Sequence, residues 1–128
     1  MIKKCAMSTE AKKVTYPLSP PRSGEAGIMA KFFRVLGDPT RLKVLYLLRE
    51  HEHTVSEMAE ILGVLQPRLS SHLACLRWCG LVGQRKEGKL TYYYLSDEHI
   101  LNILDMADAF LQDNATNIGL CTIVDRSS

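Results

Sequence analysis

A mainly α-helical domain with one small β-hairpin is the fold the sequence predicts, on three observations. Apolar residues recur at helical spacing in five separate stretches. Two of these stretches are short and are joined by a tight turn containing glycine. The run after them changes period, and its three consecutive tyrosines, residues 92–94, favour strand over helix.

Taken in order, residues 1–22 hold lysines and then YPLSPPRS, whose prolines disfavour helix, and they read as a flexible N-terminal arm. From Ser23, a candidate N-cap, GEAGIMAKFFRVL sets Ile28, Phe32, Phe33 and Leu36 near helical spacing until Gly37 ends it. DPTRLKVLYLLRE then offers Asp38 as N-cap and Pro39 at the first helical position, where the missing N–H costs nothing. Leu42, Leu45 and Leu48 line its inner face, widened by Val44 and Leu47. After the polar turn HEH, in which His51 and His53 read as surface residues, TVSEMAEILG opens on a capping box from Thr54 to Glu57 and closes at Gly63. Its stripe is Val55, Met58, Ala59 and Leu62.

A short turn leads into QPRLSSHLACLRWC, residues 66–79, a helix with Pro67 in its first turn and Leu69, Leu73 and Leu76 facing inward. LVGQRKE and KLTYYYL follow as two strands joined at Glu87-Gly88. The last amphipathic helix covers residues 97–112, capped by Ser96 or Asp97, with Ile100, Ile103, Leu104, Ala107, Phe110 and Leu111 on its apolar face. Two helices around a glycine-containing turn, followed by a basic hairpin, make a winged helix-turn-helix. The expected organisation is therefore an arm over 1–22, a winged helix-turn-helix domain for DNA binding and dimerisation over 23–113, and a tail over 114–128.

Length and composition fit one such domain: 128 residues, 46% of them hydrophobic, sustain a modest core but not two. No apolar run is long enough to span a bilayer, and MIKKCAMSTEAKK lacks the apolar core of an export signal, so a cytoplasmic protein with no membrane role is expected. Its four cysteines are then expected to be reduced. The net charge of +2 conceals a strong division, because residues 64–91 carry +4 and residues 97–128 carry −5. A local cationic segment suits phosphate contact.

On a helical wheel Gln66, Arg68, Ser70 and Ser71 lie outside the leucine face, where a recognition helix presents side chains to the major groove. Gln pairs with adenine and Arg with guanine, while serines suit phosphates or either base. Arg85, Lys86 and Lys89, near the wing tip, are placed to hold the DNA backbone, and His72 reads as structural or phosphate-contacting. One small domain reads few base pairs, so a homodimer on a palindromic double-stranded operator is the expected arrangement. The apolar faces of residues 24–36 and 97–112 exceed what so small a core needs and are the dimerisation candidates.

Cys75 and Cys79 stand four apart in the same helix, with Cβ atoms about 5 to 6 Å apart on one face. They lie off the leucine stripe, which leaves them either small buried apolar residues or ligands for one ion. Cys121, in a stretch without packing pattern, is the candidate third thiolate, and Cys5 a possible further one. All-sulfur ligation is soft and favours Cd(II), Pb(II), Hg(II), Zn(II) or As(III), with three sulfurs tilting the choice toward the larger ions.

The runs FRVLGDPTRLKVLYLL, TVSEMAEILGVLQPRLSSHLACLR and GLVGQRKEGKLTYYYL resemble the ArsR/SmtB family of metal-sensing repressors over roughly residues 25–112. Within it, HLACLRWCGL with a late Cys121 is similar to the CmtR-type cadmium and lead sensors and their mercury-sensing relatives. That resemblance implies Cys75, Cys79 and Cys121 as metal ligands, the last donated by the other subunit. It also implies release of DNA when the ion binds. Other family sites match poorly: Thr54 and Ser56 stand where some members carry thiols. Asp97 and His99 fit a zinc site of the last helix, but Phe110 and Asp113 depart from it. Leu65 occupies a turn position where a capping serine is commoner, and Trp78 faces away from the leucine stripe.

The alternatives within the same fold are a thiol redox switch and an arsenic-responsive repressor. A winged helix used for protein contacts, or as a passive metal buffer, predicts no salt-sensitive grip on DNA. An enzyme with a small-molecule substrate is not expected, since CLRWC is C-x-x-x-C rather than the redox C-x-x-C and no group orients His72 and Cys75 as a catalytic pair.

Overall fold

A computed structural model describes residues 23–123, with side chains from residue 27 onward. The expected arm over 1–22, Cys5 included, and residues 124–128 lie outside the described residues. The described residues divide into two compact units, one ending at Ser96 and the other beginning at Asp97.

In the first unit the order is α1 (Ser23–Leu36), α2 (Pro39–Glu50), β1 (His53–Thr54), α3 (Val55–Leu62), α4 (Gln66–Trp78), β2 (Val82–Glu87) and β3 (Leu90–Leu95). The mainly α fold with a hairpin wing is thus as the sequence predicts. Local chemistry explains each boundary. The Asp38 carboxylate accepts from the Arg41 amide at 3.0 Å to start α2, with Pro39 in the first turn. Arg41 in turn donates from Nε to the Val35 carbonyl at 2.8 Å and reaches the Arg34 carbonyl, satisfying the C-terminal carbonyls of α1. The DPTR run therefore ends one helix and begins the next. At α3 both halves of the capping box form, Glu57 N–H to Thr54 Oγ1 at 3.1 Å and Thr54 N–H to Glu57 Oε1 at 3.0 Å, and Gly63 closes the helix in the left-handed region.

The core is made of Val44, Leu45 and Leu48 from α2, Met58 from α3, Leu69, Leu73 and Leu76 from α4, and Leu81 and Val82 leading into the wing. The leucine face of α4 is fully buried, as its spacing requires.

Two features depart from the sequence reading. His53 is not a surface turn residue: it is 7% exposed in β1, a two-residue strand that pairs with β3 through His53–Tyr93 and Thr54–Tyr92. Two residues are too few to show an alternating pattern, and their partner lies some forty positions away. The wing is accordingly a three-stranded antiparallel sheet in the order β1-β3-β2. Its tight turn lies one residue later than expected, since Glu87 still pairs with Leu90 and Gly88 turns the chain at φ 63°.

In the second unit α5 spans His99–Gly119, beyond the predicted end at residue 112. Asn114 does not stop it, because its amide donates to the Phe110 carbonyl at 3.0 Å, one turn back, and the following residues hold no breaker before Gly119. The predicted tail from residue 114 thus begins as helix. The N-cap is Glu98, not Ser96 or Asp97, and makes no side-chain cap bond; the Asp97 carboxylate, one residue earlier, accepts from the His99 amide at 2.8 Å. Ile100 and Leu104 are buried, whereas Met106, Phe110, Leu111, Ile118 and Leu120 are exposed. In α1 likewise Val35 and Leu36 are buried while Ile28, Met29 and Phe33 are exposed.

Candidate nucleic-acid interface and thiol site

α4 begins without a side-chain cap, because its N-cap is Leu65, itself 78% exposed. Pro67 in the first turn supplies the fixed φ that starts the helix instead. Gln66, Arg68, Ser70 and Ser71 are all exposed on this first half. Gln66 donates from Nε2 to Ser56 Oγ at 2.7 Å, linking the starts of the two helix-turn-helix helices, and Ser71 bonds back to the Pro67 carbonyl.

His72 is placed apart from that set. Its side chain is 15% exposed, with Nε2 3.8 Å from Asp38 Oδ2, the cap of α2. Nδ1 is buried and, among the described residues, without a hydrogen-bond partner. Burial pushes the imidazole below its ordinary 6.5, with Arg41 and Arg68 adding to the effect and Asp38 opposing it.

On the wing Lys86 and Lys89 are exposed, but Arg85 is engaged. Its guanidinium lies 2.6 Å from Glu52 Oε1 and 3.1 Å from Glu87 Oε1, and 4.8 Å above the Tyr92 ring. The hydrogen bonds to Glu52 and then Glu87 raise its pKa further. This cluster is not legible from local patterns, because Glu52 and Arg85 are 33 residues apart. Close by, an open cleft of about 460 Å³ is lined by His51, Glu52, His53, Glu57, Ile61 and Tyr92, among others.

All three described cysteines are thiols. The helical turn between the first two is intact, Cys79 N–H donating to the Cys75 carbonyl at 3.0 Å, so both side chains belong to one face. Their surroundings differ. Cys79 is the exposed C-cap residue of α4, whereas Cys75 is 4% exposed and part of the core, contrary to its place off the leucine stripe. A helix packed against α2, α3 and β2 is covered on more than one side, so burial extends past a single stripe. Cys121 follows α5, half-buried, its N–H donating to the Ile118 carbonyl. Among the described residues no three His, Cys, Asp or Glu side chains converge to hold a metal ion. Asp97 and His99, which partly match a zinc site, engage each other instead, Nδ1 to Oδ1 at 2.7 Å. Trp78 is 43% exposed at the end of α4.

Comparison with known proteins bears on this arrangement. Residues 38–83, from the cap of α2 to the start of the wing, match the model of the bacterial regulatory proteins of the arsR family. A probable mercury resistance operon repressor of Streptomyces lividans is 42% identical over 93 residues, 73% of this chain and 74% of that protein. The chain belongs to the arsR family. Its members are DNA-binding transcriptional regulators, and α3 and α4 are accordingly the helix-turn-helix of this one. The regulator CmtR of Mycobacterium bovis is 38% identical over 76 residues, 59% of this chain and 64% of that protein. Among solved structures, the homodimeric winged helix-turn-helix DNA-binding domain Mb0332 of Mycobacterium bovis, a possible ArsR-family regulator, is similar with a TM-score of 0.61 at 25% identity, over 77% of this chain and 94% of that one. No helix among the described residues is long and apolar enough to cross a membrane.

Proposed function

We propose that this chain is a cytoplasmic repressor that grips operator DNA as a homodimer and lets go when a soft metal ion is held by Cys75, Cys79 and Cys121. One observation carries the reading. The same helix, α4, offers Gln66, Arg68, Ser70 and Ser71 to solvent in its first half and holds both thiols at its far end. Lys86 and Lys89 of the wing supply cations for the phosphate backbone. The exposed apolar residues of α1 and α5 provide the surface for the second copy.

The donor set fits the effector class. Three sulfurs suit Cd(II) or Pb(II), then Hg(II), with Zn(II) and As(III) less favoured, and the ion would supply a shared centre for thiols that are distant in the sequence. Cys75 makes that centre consequential. Its sulfur belongs to the core, so drawing it into a shared site disturbs the packing of α4 on α2, α3 and β2 and with it the angle of the reading helix. A coupling of about 1 to 3 kcal/mol suffices to change operator affinity 5- to 150-fold. A Cys75–Cys79 disulfide is less compatible with the helix, because i, i+4 Cβ atoms lie about 5 to 6 Å apart and a disulfide needs about 4 Å.

The test uses the duplex immediately upstream of this protein's own coding sequence. Binding is expected to weaken steeply as salt rises, and Cd(II) added to reduced protein is expected to produce near-ultraviolet sulfur-to-metal absorption together with DNA release. Cys121→Ser is expected to keep DNA binding and lose most of the response. A full response from that variant would remove Cys121 from the site, and release by peroxide without metal would replace the metal reading with a redox one.

A further inference from the structure

The base of the wing packs on α2, α3 and α4, but within the sheet it is joined to the strand that leads into the helix-turn-helix by a very short seam. Strand β1, which runs directly into α3, pairs with β3 over two residues only. β2 does not touch β1 at all, being on the far side of β3. Arg85 crosses that gap. In register it stands opposite Tyr92 of β3, and Tyr92 stands opposite Thr54 of β1, so the three residues form one row across the sheet. The guanidinium lies over the Tyr92 ring and meets Glu52, just before β1, at 2.6 Å, while Glu87 of its own strand takes its other side at 3.1 Å.

The electrostatics of this row argue against phosphate contact. One guanidinium faces two carboxylates, so the cluster as a whole is anionic, and both partners would have to be displaced before Arg85 met a phosphate. Lys86 stands opposite Thr91, one residue out of the row and therefore on the other face of the pleat, and Lys89 lies beyond Gly88 in the turn. The row's exposure, 46% for Arg85 and 39% for Glu52, makes it a weak contributor to folding. It can still restrict how the hairpin tilts, since the seam it reinforces is so short.

We infer that Arg85 is a positioning residue: strapped across β3 to Glu52, it holds the wing at the angle from which Lys86 and Lys89 reach the DNA backbone. This rests on the DNA-binding reading above, and the two fail differently. If wild type shows no salt-dependent binding to the upstream duplex, that reading fails; the strap is tested by variants of a protein that does bind.

Glu52→Gln decides it, because the two roles for Arg85 predict opposite signs. Were Arg85 a phosphate contact, removing Glu52's charge would free the guanidinium and tighten DNA binding. A strap predicts binding weaker by about two- to fivefold, the reach of an exposed ion-pair network. It also predicts a slope of log affinity against log salt that stays at the wild-type value in Glu52→Gln and in Arg85→Gln, whereas Lys86→Gln and Lys89→Gln, each removing one contact per protomer, lower it by about 1.8 per homodimer. The double variant Glu52→Gln/Arg85→Gln is expected to be no worse than either single, and the exchange Glu52→Arg/Arg85→Glu to recover most of the loss, which a general weakening of the fold would not do. Affinity in Glu52→Gln equal to or above wild type, or a lowered salt slope in Arg85→Gln, would overturn the strap.

Discussion

Helices α4 and α5 both carry broad apolar faces, yet their residues end up in different surroundings. Of the 13 residues of α4 four are buried, Leu69, Leu73, Cys75 and Leu76, while the 21-residue α5 buries only Ile100 and Leu104. Met106 is 73% exposed and Phe110 59%. A helix with its face covered is fixed by its own chain; one with its face open suits an interface between copies. In the proposed dimer the packed α4 would serve as the reading helix and the open face of α5 as the surface for the second copy.

The contrast is broken most directly by truncating each face. Leu73→Ala is expected to lower the unfolding free energy by about 2 to 5 kcal/mol at every protein concentration, read by urea denaturation. Phe110→Asp is expected to leave the folded monomer intact and to abolish the dimer, read by sedimentation at micromolar concentration. A Phe110→Asp protein that still sediments as a dimer would take that part of α5 out of the interface.

A smaller effect separates the two thiols within α4. Cys75→Ser puts a hydroxyl into the core and is expected to cost about 1 to 3 kcal/mol as well as the metal response. Cys79→Ser, at an exposed cap, is expected to change stability by less than about 0.5 kcal/mol while abolishing the response equally. Equal stability losses would mean that Cys75 is no more part of the core than Cys79.

Which parts could be read from sequence follows from the range of the interactions. Asp38, Thr54, Glu57, Gly63 and Gly88 act within a few residues of themselves, and each is found capping or turning close to where its chemistry puts it. The leucines of α4 recur with the helical period and are buried accordingly. What escaped was decided at long range. His53 pairs with Tyr93, Glu52 holds Arg85, and Cys75 is buried by neighbours that a helical wheel of α4 alone does not contain. The candidate ligands were legible as residue types, because thiols four apart on a helix are conspicuous; the different burial of the two was not.

The smallest effect sharpens the comparison between a histidine fixed by the core and one at the surface. His72 of α4 is mostly buried, and burial lowers its pKa, so the folded chain takes up a proton less readily than the unfolded chain does. Stability from this residue is therefore full above the ordinary value of 6.5 and falls away as pH drops from there through the depressed folded value. His99 at the start of α5 is exposed and already beside Asp97, whose own carboxyl is held low chiefly by the His99 backbone amide, so the Asp97 contribution persists until far more acidic conditions. The interval from pH 7.5 down to about 5.5 consequently isolates His72 from the carboxylates. Tm is expected to fall by a few degrees across it in the wild type and by less in His72→Phe, which also removes the buried Nδ1 that has no partner among the described residues. An identical fall in both proteins would show that protonation of His72 does not set the acid limit of the fold.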